Sequence, residues 1–179
     1  MKNTAIFSIR KITLIALLST LAYVGRILFA WIPNVQPVTV ILLIITLEIG
    51  LVEGILTASL SMFLSNIFLG MGPWTLHQIA SFAIVILVFS CLKPLWKQTW
   101  KQPLLKLAFF TIMAGLMGYL YGFVISIFSV YFYHIPKFWV YYFQGLPFDT
   151  LHALGNIGFW ILLSPLLPRI IQKYQTKFQ

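Results

Sequence analysis

The feature that most constrains this chain is a series of long apolar runs separated by short breaks that contain glycine and proline. Of its 179 residues, 60% are hydrophobic and 8% are charged, whereas a soluble domain carries about 25% charged residues. So few charges cannot cover the surface of a water-soluble globule. The sequence therefore excludes an ordinary soluble enzyme, a secreted disulfide scaffold and a disordered protein, and it predicts an all-α membrane protein.

Six runs are interpreted as transmembrane helices of a single domain that covers residues 1–179. Lys2, Arg10 and Lys11 precede the first run, as in a signal peptide, but the run is long for one and no clear cleavage site follows. We therefore expect the first helix to be retained. The stretch 132–147 is expected to be irregular. The predicted spans are residues 9–31, 38–51, 55–69, 76–92, 104–131 and 148–167.

The basic residues collect on one side of this arrangement. Six spans place both termini on the same side, which holds ten of the twelve lysines and arginines, while the opposite loops hold only Lys137. Because basic loops face the cytoplasm, we expect both termini to be cytoplasmic. The same clusters are explained as topology signals and lipid contacts, so the net charge of +9 does not indicate nucleic-acid binding.

The predicted outer loops, residues 32–37, 70–76 and 132–147, combine aromatic rings with amides and histidines. One interpretation is an aromatic belt at the membrane interface. The other is a ligand pocket open to the outside, because small-molecule pockets combine aromatic walls with a few polar groups. The binding residues predicted from these loops and the adjoining span ends are Asn34, Gln36, Asn66, Trp74, His77, Gln78, Trp139 and Tyr142.

Polar residues inside the apolar runs are further candidates. Arg26 lies within the first span, where a charge is costly and usually functional, although its long side chain can also snorkel to the interface. Asp149, His152 and Asn156 share one helix face, which should turn toward the bundle interior because lipid cannot satisfy it. Asp149 is expected to pair with Arg26 or to orient a ligand. Helix–helix hydrogen bonding without a ligand is the alternative.

Motifs for catalysis are missing from the sequence. It contains no GxxxxGK[ST], GxSxG or HExxH pattern, so we expect neither an enzyme nor a cofactor. His77 and His152 lack the spacing of a metal site, and no metal is expected. A membrane protein that binds a ligand without a motor of its own needs a partner that supplies one.

Two segments resemble the substrate-binding S components of energy-coupling factor (ECF) transporters. Residues 33–37 (Pro-Asn-Val-Gln-Pro) resemble their first outer loop, and residues 65–75 resemble the element that joins spans 3 and 4. The resemblance implies a subunit of the bacterial plasma membrane that captures a vitamin or vitamin precursor from outside. It then docks on a transmembrane coupling subunit with two ATPases. The family docks through an Ala-x-x-x-Ala face, and here that place is taken by Ala16 and Thr20.

Arg26 gives the main hint to the substrate, because a guanidinium binds a carboxylate bidentately. With the neutral amides around it, this favours pantothenate as the first choice. A pyrimidine or pyridoxine-type precursor, stacked on Trp74, Trp139 or Tyr142, comes second, and cobalamin comes third. The alternative outside transport is a small membrane scaffold that binds partners and no ligand.

Overall fold

The computed structural model describes residues 9–176, which form eight α-helices and no strand within that range. The expectation of an all-α fold is confirmed. The helices are α1 (Ile9–Leu28), α2 (Val38–Glu48), α3 (Leu51–Leu69), α4 (Trp74–Ser90), α5 (Lys93–Lys97), α6 (Pro103–Phe132), α7 (Phe138–Leu163) and α8 (Leu167–Thr176).

Three of these helices, α1, α3 and α6, are long and apolar enough to cross a membrane. The helices α7 and α8 give a fourth crossing if they are counted as one span bent by 52°. Two shorter apolar helices, α2 and α4, complete the apolar part of the described chain. Six spans and cytoplasmic termini therefore stay predictions, while the multi-pass character of the protein is clear.

The short helix α2 forms the centre of the bundle. Its 11 residues reach about 16 Å along the axis, roughly half the hydrocarbon thickness of a bilayer. Every residue from Val38 to Leu47 is buried, and α2 touches α1, α3, α4, α6, α7 and α8. A helix that is apolar all round is stable only when other helices enclose it in this way.

The longest helices, α6 and α7, pack closely because α6 presents glycines to its neighbour. A Cβ added at Gly118 would lie 2.7 Å from the backbone nitrogen of Ala153. One added at Gly115 would lie 3.0 Å from the side chain of Ile157. Small residues spaced in this way let two membrane helices approach until their backbones are in contact.

The helix boundaries differ from the predicted spans mainly at α7. It begins at Phe138 and includes Pro147, so residues 138–147, which were expected to be irregular, are helical. A proline interrupts an isolated helix, but neighbouring helices and local adjustments accommodate one inside a membrane helix. The other differences are smaller: α1 ends at Leu28, and a turn at residues 164–166 separates α7 from α8.

Lysines and glutamates gather where α1 begins and α2 ends, a region that we call the basic end. Lys11 forms an ion pair with Glu53. The Lys93 ammonium donates to the carbonyl oxygens of Thr46 (3.4 Å) and Ile49 (3.2 Å), which caps α2. Burial, together with the nearby Lys97, lowers the pKa of Lys93. Of the residues assigned to the cytoplasmic side, Lys2 and Lys177 lie outside the described range.

The contact between α6 and α7 predicts the effect of adding bulk at Gly118. Gly118→Val should lower the thermal unfolding temperature of the purified protein in detergent, because its Cβ meets the backbone of α7 rather than a flexible side chain. The cost expected for such overpacking is about 1–3 kcal/mol. Gly158→Val is the control, since a Cβ there has no neighbour within 4 Å. Equal stability of the two variants would contradict the packing described.

Candidate functional site

A cavity of about 90 Å³ lies at the end of the bundle opposite the basic end. We call it the central cavity. Its walls come from α1, α2, α3, α4, α6 and α7 and from the connection between α1 and α2. The residues that line it are Arg26, Asn34, Gln36, Val38, Thr39, Met62, Gln78, Phe82, Tyr121 and His152.

Arg26 is the only charged residue in this lining, and α3 holds its buried side chain. Its Nη1 donates to the Ser65 hydroxyl and to Asn66 Oδ1 (2.9 Å), and it lies 3.4 Å from the sulfur of Met62. These contacts satisfy one nitrogen of a guanidinium that carries five N–H donors. Its Nε and Nη2 have no acceptor among residues 9–176, so they remain available to a ligand.

Asn66 connects Arg26 to α4. Its Oδ1 accepts from Arg26, and its Nδ2 donates to Thr75 Oγ1 (2.9 Å) and Gln78 Oε1 (2.7 Å). Because the side chain is 1% exposed, these bonds replace water completely. The network fixes the position of the guanidinium before any ligand arrives, which reduces the entropy lost on binding.

The opposite wall joins α2, α6 and α7. His152 Nε2 lies 2.7 Å from the Thr39 hydroxyl, in a hydrogen bond between α7 and α2. The Tyr121 ring meets the His152 ring edge-on, with 5.2 Å between centroids, and lies 4.5 Å from the Phe82 ring. The cavity therefore has a polar side at α1 and α3 and a largely aromatic side at α6.

The segment between α1 and α2 folds inward over the central cavity. Asn34, in a left-handed conformation with φ of 57°, donates to the carbonyl of Phe148 (3.3 Å). Val35 packs on Gly155, where an added Cβ would lie 3.2 Å from the Val35 Cα. At Gly25 an added Cβ would come within 2.6 Å of Pro37. The absence of side chains on these two glycines lets residues 33–37 close the cavity.

Six predicted binding residues are in or beside the cavity. Five of them line it, and Asn66 supports it from behind. Arg26 reaches into the bundle rather than toward the interface. The expected pairing of Arg26 with Asp149 is not formed, because the Arg26 guanidinium is held by Ser65 and Asn66 of α3. The five lining residues from the prediction are Arg26, Asn34, Gln36, Gln78 and His152.

Two buried residues of the α7 stripe lie outside the cavity lining. Asp149 packs on Gly122 of α6, where an added Cβ would fall 2.0 Å from the carboxyl carbon. Asn156 is fully buried and donates to the Ala114 carbonyl (3.2 Å). Both face the bundle interior, as the stripe predicted, but they contact α6. Both side chains therefore contact a neighbouring helix, and their assignment as binding residues stays a prediction.

The aromatic residues that were predicted to bind the ligand, and His77, are also absent from the cavity lining. His77 lies against the rings of Phe128 and Phe132. Trp139 is 60% exposed, stacks on the Phe143 ring and meets the Tyr142 ring edge-on, all within α7. The partly exposed Trp74 donates to the Gly70 carbonyl (3.3 Å). These three tryptophan and tyrosine side chains fit the interface-belt interpretation better than the pocket interpretation.

The cavity also uses residues that sequence reasoning missed. Thr39 lies in α2, which is apolar except for two threonines and Glu48 at its end. Tyr121 lies in α6 between Gly118 and Gly122. A hydroxyl inside an apolar run was the available signal for both. The other missed lining residues are Val38, Met62 and Phe82.

A family model supplies the decisive comparison. The model of the ECF transporter substrate-specific component matches residues 10–171. The chain belongs to this family. The S component is the substrate-binding subunit of a membrane transporter, and it is not an enzyme. Comparisons with curated proteins and with solved structures gave no match.

The two residues assigned to partner docking lie on the outer face of α1 in this S component. Ala16 and Thr20 are both exposed, and the Thr20 hydroxyl donates to the Ala16 carbonyl (2.9 Å) within the helix. That bond leaves no free hydroxyl proton on this face. The exposed side chains of Leu17 and Leu21 flank the pair. This face of α1 is therefore apolar, with two small side chains between larger ones.

The network behind Arg26 predicts a loss of stability in the S component when Asn66 is replaced. Asn66→Leu removes the amide that accepts from Arg26 and donates to α4, so buried polar groups lose their partners. The expected cost is about 1–3 kcal/mol, read as a lower unfolding temperature in detergent. Gln144→Leu, at an exposed amide of α7, is the control. If the hydrogen bonds of Asn66 did not stabilise the fold, the two variants would unfold at the same temperature.

Proposed function

We propose that this S component captures pantothenate in the central cavity, with Arg26 binding the carboxylate. The subunit would work in a bacterial plasma membrane with both termini cytoplasmic. After docking through α1 on a coupling subunit with two ATPases, it would release the ligand inside. Family membership supports the importer role and sets aside a scaffold without a ligand. The observation that supports the substrate is the charge pattern of the cavity.

The central cavity has one cationic residue and no carboxylate in its lining. A ligand with a single negative charge would therefore find a partner in Arg26 and no like charge among the lining residues. Charge-assisted bonds to a fixed guanidinium are about twice as strong as neutral ones. The other polar lining groups, such as Asn34, Gln36 and Gln78, are neutral and suit the amide and hydroxyl groups of pantothenate.

The volume of the cavity indicates a closed conformation. Ligand pockets measure roughly 300 Å³ or more, whereas this one measures about 90 Å³. Residues 33–37 cover the cavity. Asn34 donates a hydrogen bond to the Phe148 carbonyl, and Val35 packs on Gly155. We infer that this segment moves outward to admit the ligand and returns over it, while Arg26 and Asn66 stay in place.

The other substrates fit this lining less well. A pyrimidine or pyridoxine-type precursor would stack on Phe82 or Tyr121, since Trp74, Trp139 and Tyr142 lie elsewhere, and its neutral ring would leave Arg26 without an anion. Cobalamin is many times larger than the cavity and would require the helices themselves to separate. Pantothenate therefore remains the first choice.

Binding of pantothenate to purified variants tests the assignment. Arg26→Gln should weaken binding by roughly 10- to 100-fold, the range expected for losing a hydrogen-bonded charge. Pantothenol, which has an alcohol in place of the carboxylate, should bind the unaltered protein just as weakly and should lose nothing further in Arg26→Gln. Isothermal titration calorimetry measures all four combinations.

The matched control is Lys137→Gln, which removes one positive charge from the connection between α6 and α7, outside the cavity. It should leave pantothenate affinity unchanged. Absence of pantothenate binding to the unaltered, folded protein would overturn the substrate. Equal affinities for pantothenate and pantothenol would overturn the role of Arg26.

The docking face predicts a separation of transport from binding. Thr20→Trp should abolish ATP-driven uptake in proteoliposomes that contain the coupling subunit and the two ATPases, because bulk there blocks close helix approach. Ligand affinity of the isolated variant should not change. Leu28→Trp, on an exposed residue at the far end of α1, should transport normally. Normal uptake by Thr20→Trp would move docking to another face.

A further inference from the structure

A second, larger cavity lies at the basic end, far from the ligand cavity. It measures about 660 Å³ and is bounded by the end of α2, by α5, by the start of α6 and by the bend between α7 and α8. An adjoining cavity of about 280 Å³ shares Trp96, Lys106, Ser164 and Pro165 with it and extends to Leu107 and Trp160. Because the two cavities share these four wall residues, we treat them together and call them the rim recess.

The wide part of the rim recess is positively charged. Lys97, Lys106 and Arg169 line it, opposed by the single carboxylate of Glu48. Both oxygens of Glu48 already accept hydrogen bonds, from Trp96 Nε1 (2.6 Å) and from Gln172 Nε2 (2.9 Å). Lys97 and Arg169 form neither a hydrogen bond nor an ion pair within residues 9–176. Two exposed cations therefore face this recess without an ion-pair partner among the described residues.

The narrow part of the rim recess is apolar apart from a few groups. It is lined by the Trp160 ring, by Leu107 and by two prolines. Trp160 is fully buried, and its indole N–H has no acceptor among the described residues. The protein encloses this nitrogen, so the N–H belongs to the interior behind the wall and is not a contact for an occupant of the recess. The recess thus pairs an anion site with an apolar extension.

We propose that the rim recess binds an anionic phospholipid. The phosphate lies among Lys97, Lys106 and Arg169, and an acyl chain fills the narrow part. The charge and the apolar extension select a lipid over a free anion, which would leave the narrow part empty. Basic recesses between membrane helices are suited to such head groups, and the lipid would join α5 to the bend between α7 and α8.

Native mass spectrometry of the purified protein with dioleoyl phosphatidylglycerol tests this proposal, with dioleoyl phosphatidylcholine as the uncharged comparison. The protein should retain the anionic lipid preferentially. The double variant Lys97→Gln/Arg169→Gln should reduce its retention roughly 30-fold, from two cations that each contribute to the interaction. The control Lys101→Gln/Lys137→Gln removes the same charge from outside the recess and should retain the lipid normally.

A second comparison tests the apolar part in the unaltered protein. Dihexanoyl phosphatidylglycerol has the same head group as the dioleoyl lipid, but its acyl chains are too short to fill the narrow part. It should therefore be retained several-fold less than the dioleoyl lipid in the same measurement. This comparison does not depend on the charged variants folding, and neither experiment depends on the identity of the transported ligand.

Four results would overturn the proposal. Equal retention of the two head groups would show that charge does not select the occupant. An equal loss in the control double variant would show only diffuse attraction. Displacement of the lipid by glycerol 3-phosphate or inorganic phosphate at the same molar concentration would indicate a free-anion site. Displacement by an acidic peptide but not by excess phosphatidylglycerol would indicate a protein partner.

Discussion

The fold around the central cavity depends on one constraint, the burial of the Arg26 guanidinium among apolar helices. A charge in such surroundings is tolerated only when polar groups surround it. Ser65 and Asn66 supply them from α3, and Asn66 is itself held by Thr75 and Gln78 from α4. The same arrangement that makes the burial possible leaves two nitrogens of the guanidinium unused, which is the basis for the proposal that Arg26 also binds the ligand.

The two ends of the bundle have different chemistry because of how charge is distributed along the sequence. At the end that holds the central cavity, Arg26 lies among neutral hydrogen-bonding groups. Residues 33–37 cover it, and Gly25 and Gly155 leave room for them to do so. At the basic end, lysines cap α2 and line a wide recess beside exposed apolar helices. A subunit that binds a ligand at one end and touches partners or lipid at the other can keep these functions independent.

The sequence indicates more of the polar lining of the central cavity than of its aromatic lining. Arg26, Gln78 and His152 line it, as expected of polar groups in apolar runs, which have to face the interior. Trp74, Trp139 and Tyr142 lie outside the lining; they were expected in it because an aromatic ring at an interface and one in a pocket look alike in sequence. Whether any of these residues binds the ligand stays a prediction. Thr39 and Tyr121 were missed because their roles depend on α2 lying at the centre of the bundle. The helical start of α7 before Pro147 was missed because packing, not local preference, decides it.

A structure of the purified S component with its ligand bound tests the central claim most directly. The ligand's carboxylate is expected to contact Nε or Nη2 of Arg26, under residues 33–37, while Nη1 keeps its bonds to Ser65 and Asn66. A ligand found outside this cavity, for example among the exposed rings at Trp139, with Arg26 making no contact to it, would show that Arg26 does not form the binding site.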